Sequence, residues 1–137
     1  MIVTLGNCYD SRQLPGYLAR IDGRDAGAVL YRIEGDECEI AILYALLENR
    51  GVGTALLDRV GAAARERGCR RLWLVTTNDN THAIRYYQRY GFSLKAVHIG
   101  ALAETRRLKP GLPERGIDDI PLEHEFEFEL RLPDGGK

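Results

Sequence analysis

The segment Glu48-Asn49-Arg50-Gly51-Val52-Gly53-Thr54-Ala55 joins an apolar run, Ile40-Ala41-Ile42-Leu43-Tyr44-Ala45-Leu46, to a stretch of helical periodicity through a pair of glycines. A strand that passes directly into a helix leaves the first N–H groups of that helix without intrahelical acceptors, at the end where the macrodipole is positive. Such a turn is a seat for a phosphate group, with Arg50 beside it. Taken alone, Gly-x-Gly is equally a tight turn that lets a helix pack closely on a sheet. The letters exclude a P-loop, because Gly53 is followed by Thr54-Ala55-Leu56 and not by Lys and Ser or Thr. They also weigh against a dinucleotide fingerprint, which needs a small residue where Leu56 stands and a preceding strand that opens a βαβ unit.

The elements that would hold this turn follow from periodicity. From Gly16 to Leu47, apolar stretches alternate with Asp22-Gly23-Arg24-Asp25 and Glu34-Gly35-Asp36, which predicts three consecutive antiparallel strands. The third, about Glu37 to Leu46, is apolar on both faces and is expected to be central and buried. Ile2 to Leu5 reads as a further short strand. Leu56, Leu57, Val60, Ala63 and Ala64 predict a helix from Gly51 to Arg67, ended by Gly68. Leu72 to Thr76 reads as a buried strand with Trp73 in the core. A second helix, Thr81 to Tyr90, is capped by Asn78-Asp79-Asn80-Thr81 and closed by Gly91, with Phe92 placed for an apolar contact beyond the cap. Ser93 to Ile99 resumes as strand, and a short helix at Ala101 to Leu108 precedes a long ordered loop to Pro121. Leu122 to Leu132 alternates Phe126, Phe128 and Leu130 with Glu123, Glu125, Glu127 and Glu129, which reads as a last strand with a solvated acidic edge face.

At 137 residues and 45% hydrophobic, the chain is sized for a single domain spanning 1–137. Nineteen basic residues against twenty acidic give a net charge of −1, which provides no field to draw nucleic acid or an anionic membrane. Cys8, Cys38 and Cys69 are odd in number and lack ligand-like spacing with His82, His98 or His124, so neither a disulfide framework nor a metal site is expected. No leader-like segment and no long apolar run is present, so the expected location is cytoplasmic.

The run Arg50-Gly51-Val52-Gly53-Thr54-Ala55-Leu56-Leu57, followed after a strand by Asn80-Thr81-His82-Ala83-Ile84-Arg85-Tyr86-Tyr87-Gln88-Arg89-Tyr90-Gly91-Phe92, resembles the GNAT superfamily of acetyl-CoA-dependent N-acyltransferases. The resemblance extends from about Gly16 to the last strand. It implies an α/β fold with a mixed, mostly antiparallel sheet splayed between its fourth and fifth strands, flanked by helices, with acetyl-CoA as co-substrate in the cleft. The implied reaction is acetyl transfer to a primary amine of a small molecule or a protein, and the residues do not identify that acceptor. Departures from the pattern are Glu48, where the family usually has Gln or Arg, and the short N-terminus, which leaves little room for the two helices that commonly wall the acceptor pocket. That pocket is then either open or completed by a second subunit, as in a homodimer. The Lys109-Pro110 and Ile120-Pro121 region resembles a subset of small bacterial members.

Acetyl transfer to an amine needs a neutral nitrogen, donors for the tetrahedral oxyanion, and a proton for the departing thiolate. Tyr87 matches the family's tyrosine, and a phenol with a reference pKa of about 10 is protonated at neutral pH. By spacing alone, Tyr87 faces the core with Ala83 and Tyr90. Glu39, in Glu39-Ile40-Ala41-Ile42-Leu43, resembles in context the catalytic glutamate of histone-type members, where an apolar strand raises a carboxylate's pKa toward that of a base. The plainer alternative is a strand-end glutamate in solvent. The resemblance implies a CoA-binding set of Tyr44, Ala45, Leu46, Arg50, Gly51, Val52, Gly53, Thr54, Asn80, Ala83 and Tyr87, with oxyanion donors among the N–H groups of Tyr44 to Leu46. Asn80 either bonds the pantetheine arm or caps its helix, while Arg85 and Arg89 read as a solvated helix face. A competing reading is a non-catalytic CoA-binding sensor or interaction module, motivated by Glu48 and the short N-terminus and opposed by Tyr87 and Glu39.

Overall fold

Turn chemistry sets the start of the chain. Leu5 and Gly6 both have positive φ (49° and 80°), which folds Ile2–Thr4 (β1) and Asn7–Tyr9 (β2) into an antiparallel hairpin. The single short strand expected at Ile2 to Leu5 is therefore half of a two-stranded sheet. Its turn was hidden because leucine is an uncommon residue at positive φ. The computed structural model describes residues 2–46 and 51–133.

Among the described residues, a second sheet has six strands in the order β3-β4-β5-β6-β8-β7: Gly16–Ile21 (β3), Arg24–Glu34 (β4), Glu37–Ala45 (β5), Arg71–Thr77 (β6), Ser93–His98 (β7) and Glu125–Arg131 (β8). Val52–Glu66 (α1), Thr81–Tyr90 (α2) and Ala101–Leu108 (α3) are its helices. The chain divides into two compact units, Ser11–Trp73 with Arg131–Lys137, and Met1–Asp10 with Leu74–Leu130.

In the first of these units, β3, β4 and β5 form the expected meander, turned at Asp22-Gly23 with positive φ at both residues and at Gly35. α1 lays Val52, Leu56, Leu57, Val60 and Ala64 across the meander, the i, i+4 stripe of an amphipathic helix. Its end is a Schellman turn: Gly68 sits at φ 78° and the Cys69 N–H reaches back to the Ala64 carbonyl at 2.9 Å. β5 departs from expectation along its length. Cys38, Glu39 and Ile40 are buried, whereas Tyr44 and Ala45 are exposed, because an inner place in a sheet pairs a strand's edges without covering its faces.

In the other unit, α2 begins on Asn80, whose Oδ1 accepts the Ala83 N–H at 3.1 Å, and closes at Gly91. Between β7 and β8 the chain makes a long excursion that holds α3 and a loop. Asn78 grips the return of that loop, donating to the Pro121 carbonyl at 2.8 Å while its Oδ1 accepts the N–H groups of Glu123 and His124. Asp79, buried, accepts from the Thr77 hydroxyl and from the Ile117 N–H at 2.9 Å. Arg106 on α3 holds the loop from its other side through the carbonyls of Pro113 and Leu122.

The acidic stripe of the last strand is corrected by topology. β8 lies between β6 and β7 and is not an edge. Glu125 is 4% exposed, and Glu127 lies 2.9 Å from His98 Nε2, so this face is not the solvated surface that alternation suggested. Trp73 is likewise not core: it is half-buried beneath the Arg71 guanidinium, 5.0 Å from the ring centroid. Because Asp79 supplies the acceptor for an otherwise unpaired loop N–H, Asp79→Ala is expected to cost about 1–3 kcal/mol of unfolding free energy, read from urea denaturation.

Candidate active site

The start of α1 differs chemically from that of α2. Gly51 occupies the N-cap position at φ 73°, a left-handed conformation that explains the glycine better than close packing does, since a Cβ there would meet nothing within 4 Å. Among the described residues, the N-cap makes no side-chain capping bond, and the first turn carries no acidic residue. The first intrahelical bond runs from the Ala55 N–H to the Gly51 carbonyl at 3.0 Å, so the N–H groups of Val52, Gly53 and Thr54 precede it and project from the positive end of a fifteen-residue helix. This arrangement fits a phosphate group. Arg50 and Glu48 lie outside the described residues.

Tyr44, Ala45 and Leu46 lead into this turn, and their backbones are not equivalent. The Leu46 N–H is taken by the Ala26 carbonyl at 2.7 Å, and Gly27 stands opposite Ala45. Antiparallel pairing alternates, so Tyr44 and Leu46 face their partners on β4, while the N–H and C=O of Ala45 turn away from that strand. Of the three donors expected at Tyr44 to Leu46, the geometry singles out Ala45. The side chains of Tyr44 and Leu46 are exposed.

Glu39 is on the same strand but six residues before Ala45, about 20 Å along it. It is not a strand-end glutamate in solvent. The side chain is 2% exposed and Oε1 lies 3.2 Å from Nη2 of Arg32, its cross-strand partner, which also pairs with Glu34. Near the β4–β5 turn, a cavity of about 280 Å³ is lined by Arg32, Glu34, Asp36, Glu37 and Trp73. Sequence reasoning missed it, because Glu34-Gly35-Asp36 read only as a hairpin turn. The two buried thiols are poor rival nucleophiles: burial pushes Cys38 up to about 12 and raises Cys69, so both are protonated at neutral pH.

In the other unit, Asn80, Ala83 and Tyr87 follow one another along α2. Asn80 is its cap, the plainer of its two expected roles. Tyr87 is held by the end of the helix: the Phe92 N–H bonds the Tyr87 carbonyl at 3.0 Å, and the Phe92 ring meets the Tyr87 ring edge-on at 5.7 Å. Phe128 and Tyr86 also contact that ring. The packing and proton-donor readings are therefore compatible, since the ring is clamped and burial pushes the phenol up to about 12, well protonated at neutral pH. Among the described residues, no group of three or more His, Cys, Asp or Glu side chains is arranged to hold a metal ion. None of the described helices is long and apolar enough to cross a membrane.

A model of the acetyltransferase (GNAT) family matches residues 5–92. The uncharacterized protein YxbD of Bacillus subtilis is 37% identical over 127 residues, which span 92% of this chain and 79% of that protein. Streptothricin acetyltransferase of Streptomyces lavendulae is 46% identical over 59 residues, 40% of this chain and 31% of that one. A GNAT family acetyltransferase from Elizabethkingia anophelis, solved with acetyl-CoA bound, is similar with a TM-score of 0.72 over 85% of this chain and 76% of its own. At 23% identity that likeness is one of fold.

Tyr87 has a testable alkaline signature. Its folded pKa is raised from 10.0 to about 12 by burial, so its contribution to stability is intact below pH 10 and is lost as the pH climbs through 12. In alkaline denaturation, Tyr87→Phe is expected to flatten the fall in stability between those values relative to the unaltered protein.

Proposed function

Because the chain belongs to the GNAT acetyltransferase family, we propose that it moves the acetyl group of acetyl-CoA onto a primary amine, with residues 1–137 acting as one catalytic domain. The observation that carries this reading is the glycine-led start of α1, whose first turn lies within the residues that the family model matches. The N–H groups of Gly51 to Thr54, with Arg50, take the CoA pyrophosphate. Tyr44 to Leu46 run beside the pantetheine arm, with the Ala45 N–H as donor to the carbonyl oxygen. Asn80 and Ala83 of α2 contact the cofactor arm, and Asn80 keeps its capping bond. The Elizabethkingia protein's bound acetyl-CoA supports this co-substrate.

In the reaction, the amine nitrogen attacks the thioester carbon, the oxyanion forms and collapses, and the C–S bond breaks. Tyr87 serves as the donor to the departing sulfur. With a thiol reference near 8.5, complete transfer from a phenol at about 12 is uphill by about 3.5 pKa units. Tyr87 therefore acts chiefly through a strong hydrogen bond as charge builds on sulfur, with its proton following late. Glu39, about 20 Å along β5 from the Ala45 donor and paired with Arg32, is out of hydrogen-bond reach of the amine, so the ammonium proton passes to solvent and Glu39 is not its acceptor.

Free thiol release from acetyl-CoA in the presence of a panel of primary amines tests the activity. Binding of CoA without thiol release for any amine would replace the enzyme with a binding module. For Tyr87→Phe, kcat is expected to fall ~10²-fold with acetyl-CoA affinity little changed. For Glu39→Gln, the pH–rate curve is expected to keep its acidic limb. A rate that falls at neutral pH and recovers at high pH, where water alone deprotonates the amine, would return Glu39 to the base role.

A further inference from the structure

The structure assigns a positioning role to Gly27, a buried residue of β4 that has no part in the family's chemistry. Gly27 stands opposite Ala45 in β5, in the class of antiparallel pair whose Cα atoms come closest. A Cβ built on Gly27 would lie 2.6 Å from the Tyr44 carbonyl oxygen, 2.8 Å from Cγ1 of Val52 and 3.2 Å from the Ala45 Cα. Each of these distances is shorter than ordinary van der Waals contact. The strand end and the helix start therefore converge on the one place where no side chain stands.

Both neighbours belong to the proposed acetyl-CoA site, and the inference rests on that reading. Val52 is the first residue of α1 and is buried, so its seat against Gly27 fixes the height of the N–H groups that receive the pyrophosphate. The Tyr44 carbonyl shares a peptide plane with the Ala45 N–H, because a peptide unit is rigid. Pressure on that oxygen tilts the donor that faces the acetyl carbonyl. Gly27 thus sets the two ends of the site relative to each other: the anion seat through Val52 and the oxyanion donor through the Tyr44–Ala45 peptide.

The separation of these two effects gives the test. In Gly27→Ala, overpacking is expected to weaken CoA binding and lower kcat at saturating acetyl-CoA, each by about tenfold. Adding Val52→Ala removes the methyl that the new side chain meets, while the Tyr44 carbonyl stays where it is. The double variant, compared with Val52→Ala alone, is then expected to regain CoA affinity but to keep its low kcat. If Gly27→Ala fails to fold, the double variant carries the same expectation by itself. Unchanged CoA affinity and kcat in folded Gly27→Ala, or affinity and kcat recovering together in the double variant, would overturn the inference. Gly53→Val is measured beside them. If it binds CoA as the unaltered protein does, the pyrophosphate reading of the turn is what fails, whereas its loss of binding with an indifferent Gly27→Ala dismisses Gly27 alone.

Discussion

The alternation of an antiparallel ladder is the constraint from which the candidate site follows. Once Leu46 donates to Ala26, the pairing of β4 with β5 fixes which backbone groups each residue gives to its partner strand, and Ala45 is left with its N–H and C=O turned outward. Further along the chain, Gly51 enters the left-handed region as the N-cap of α1 and makes no side-chain capping bond. The Ala45 donor and the start of α1 thus lie at the two ends of one strand-to-helix passage.

Packing around this passage is arranged to keep it stiff. The apolar stripe of α1 is pinned over the meander along its whole length, and the Schellman turn at Gly68 stops the helix from sliding along its axis. On α2, the same motif at Gly91 does a second job, because the residue beyond the cap, Phe92, is the one that braces the Tyr87 ring. A helix terminator is thereby also the support of a candidate catalytic side chain.

What the sequence made legible was set by local rules. α2 and α3 fall on their expected residues, and α1 within one residue at each end, because glycine stops and i, i+4 stripes are local signals. The meander was equally plain from its turns. What escaped was non-local. Alternation along β8 distinguishes two faces but says nothing of what covers them, so its glutamates read as solvated although Glu125 is buried. Glu39 was legible as a strand carboxylate, but its arginine partner was not, because Arg32 meets it only through the β4–β5 register. The same holds for Asp79, which looked like one of several capping residues and instead binds a loop more than thirty residues away. Gly27 carried no signal at all, since an isolated strand glycine gives no hint of which atoms approach it.

The excursion between β7 and β8 leaves and returns at nearly one point. His98 faces Glu125 in the ladder, and just beyond, the Gly100 N–H donates to Nδ1 of His124 at 2.8 Å while the Leu102 N–H bonds the Glu123 carbonyl. Closing such a segment costs entropy that grows only slowly with its length, about 0.6 kcal/mol for each doubling. The segment is nevertheless held at several points, since Asn78 and Asp79 bond its return and Leu102 and Leu122 are buried. Changes of length are therefore cheap for the fold only in its exposed stretch, 107–111.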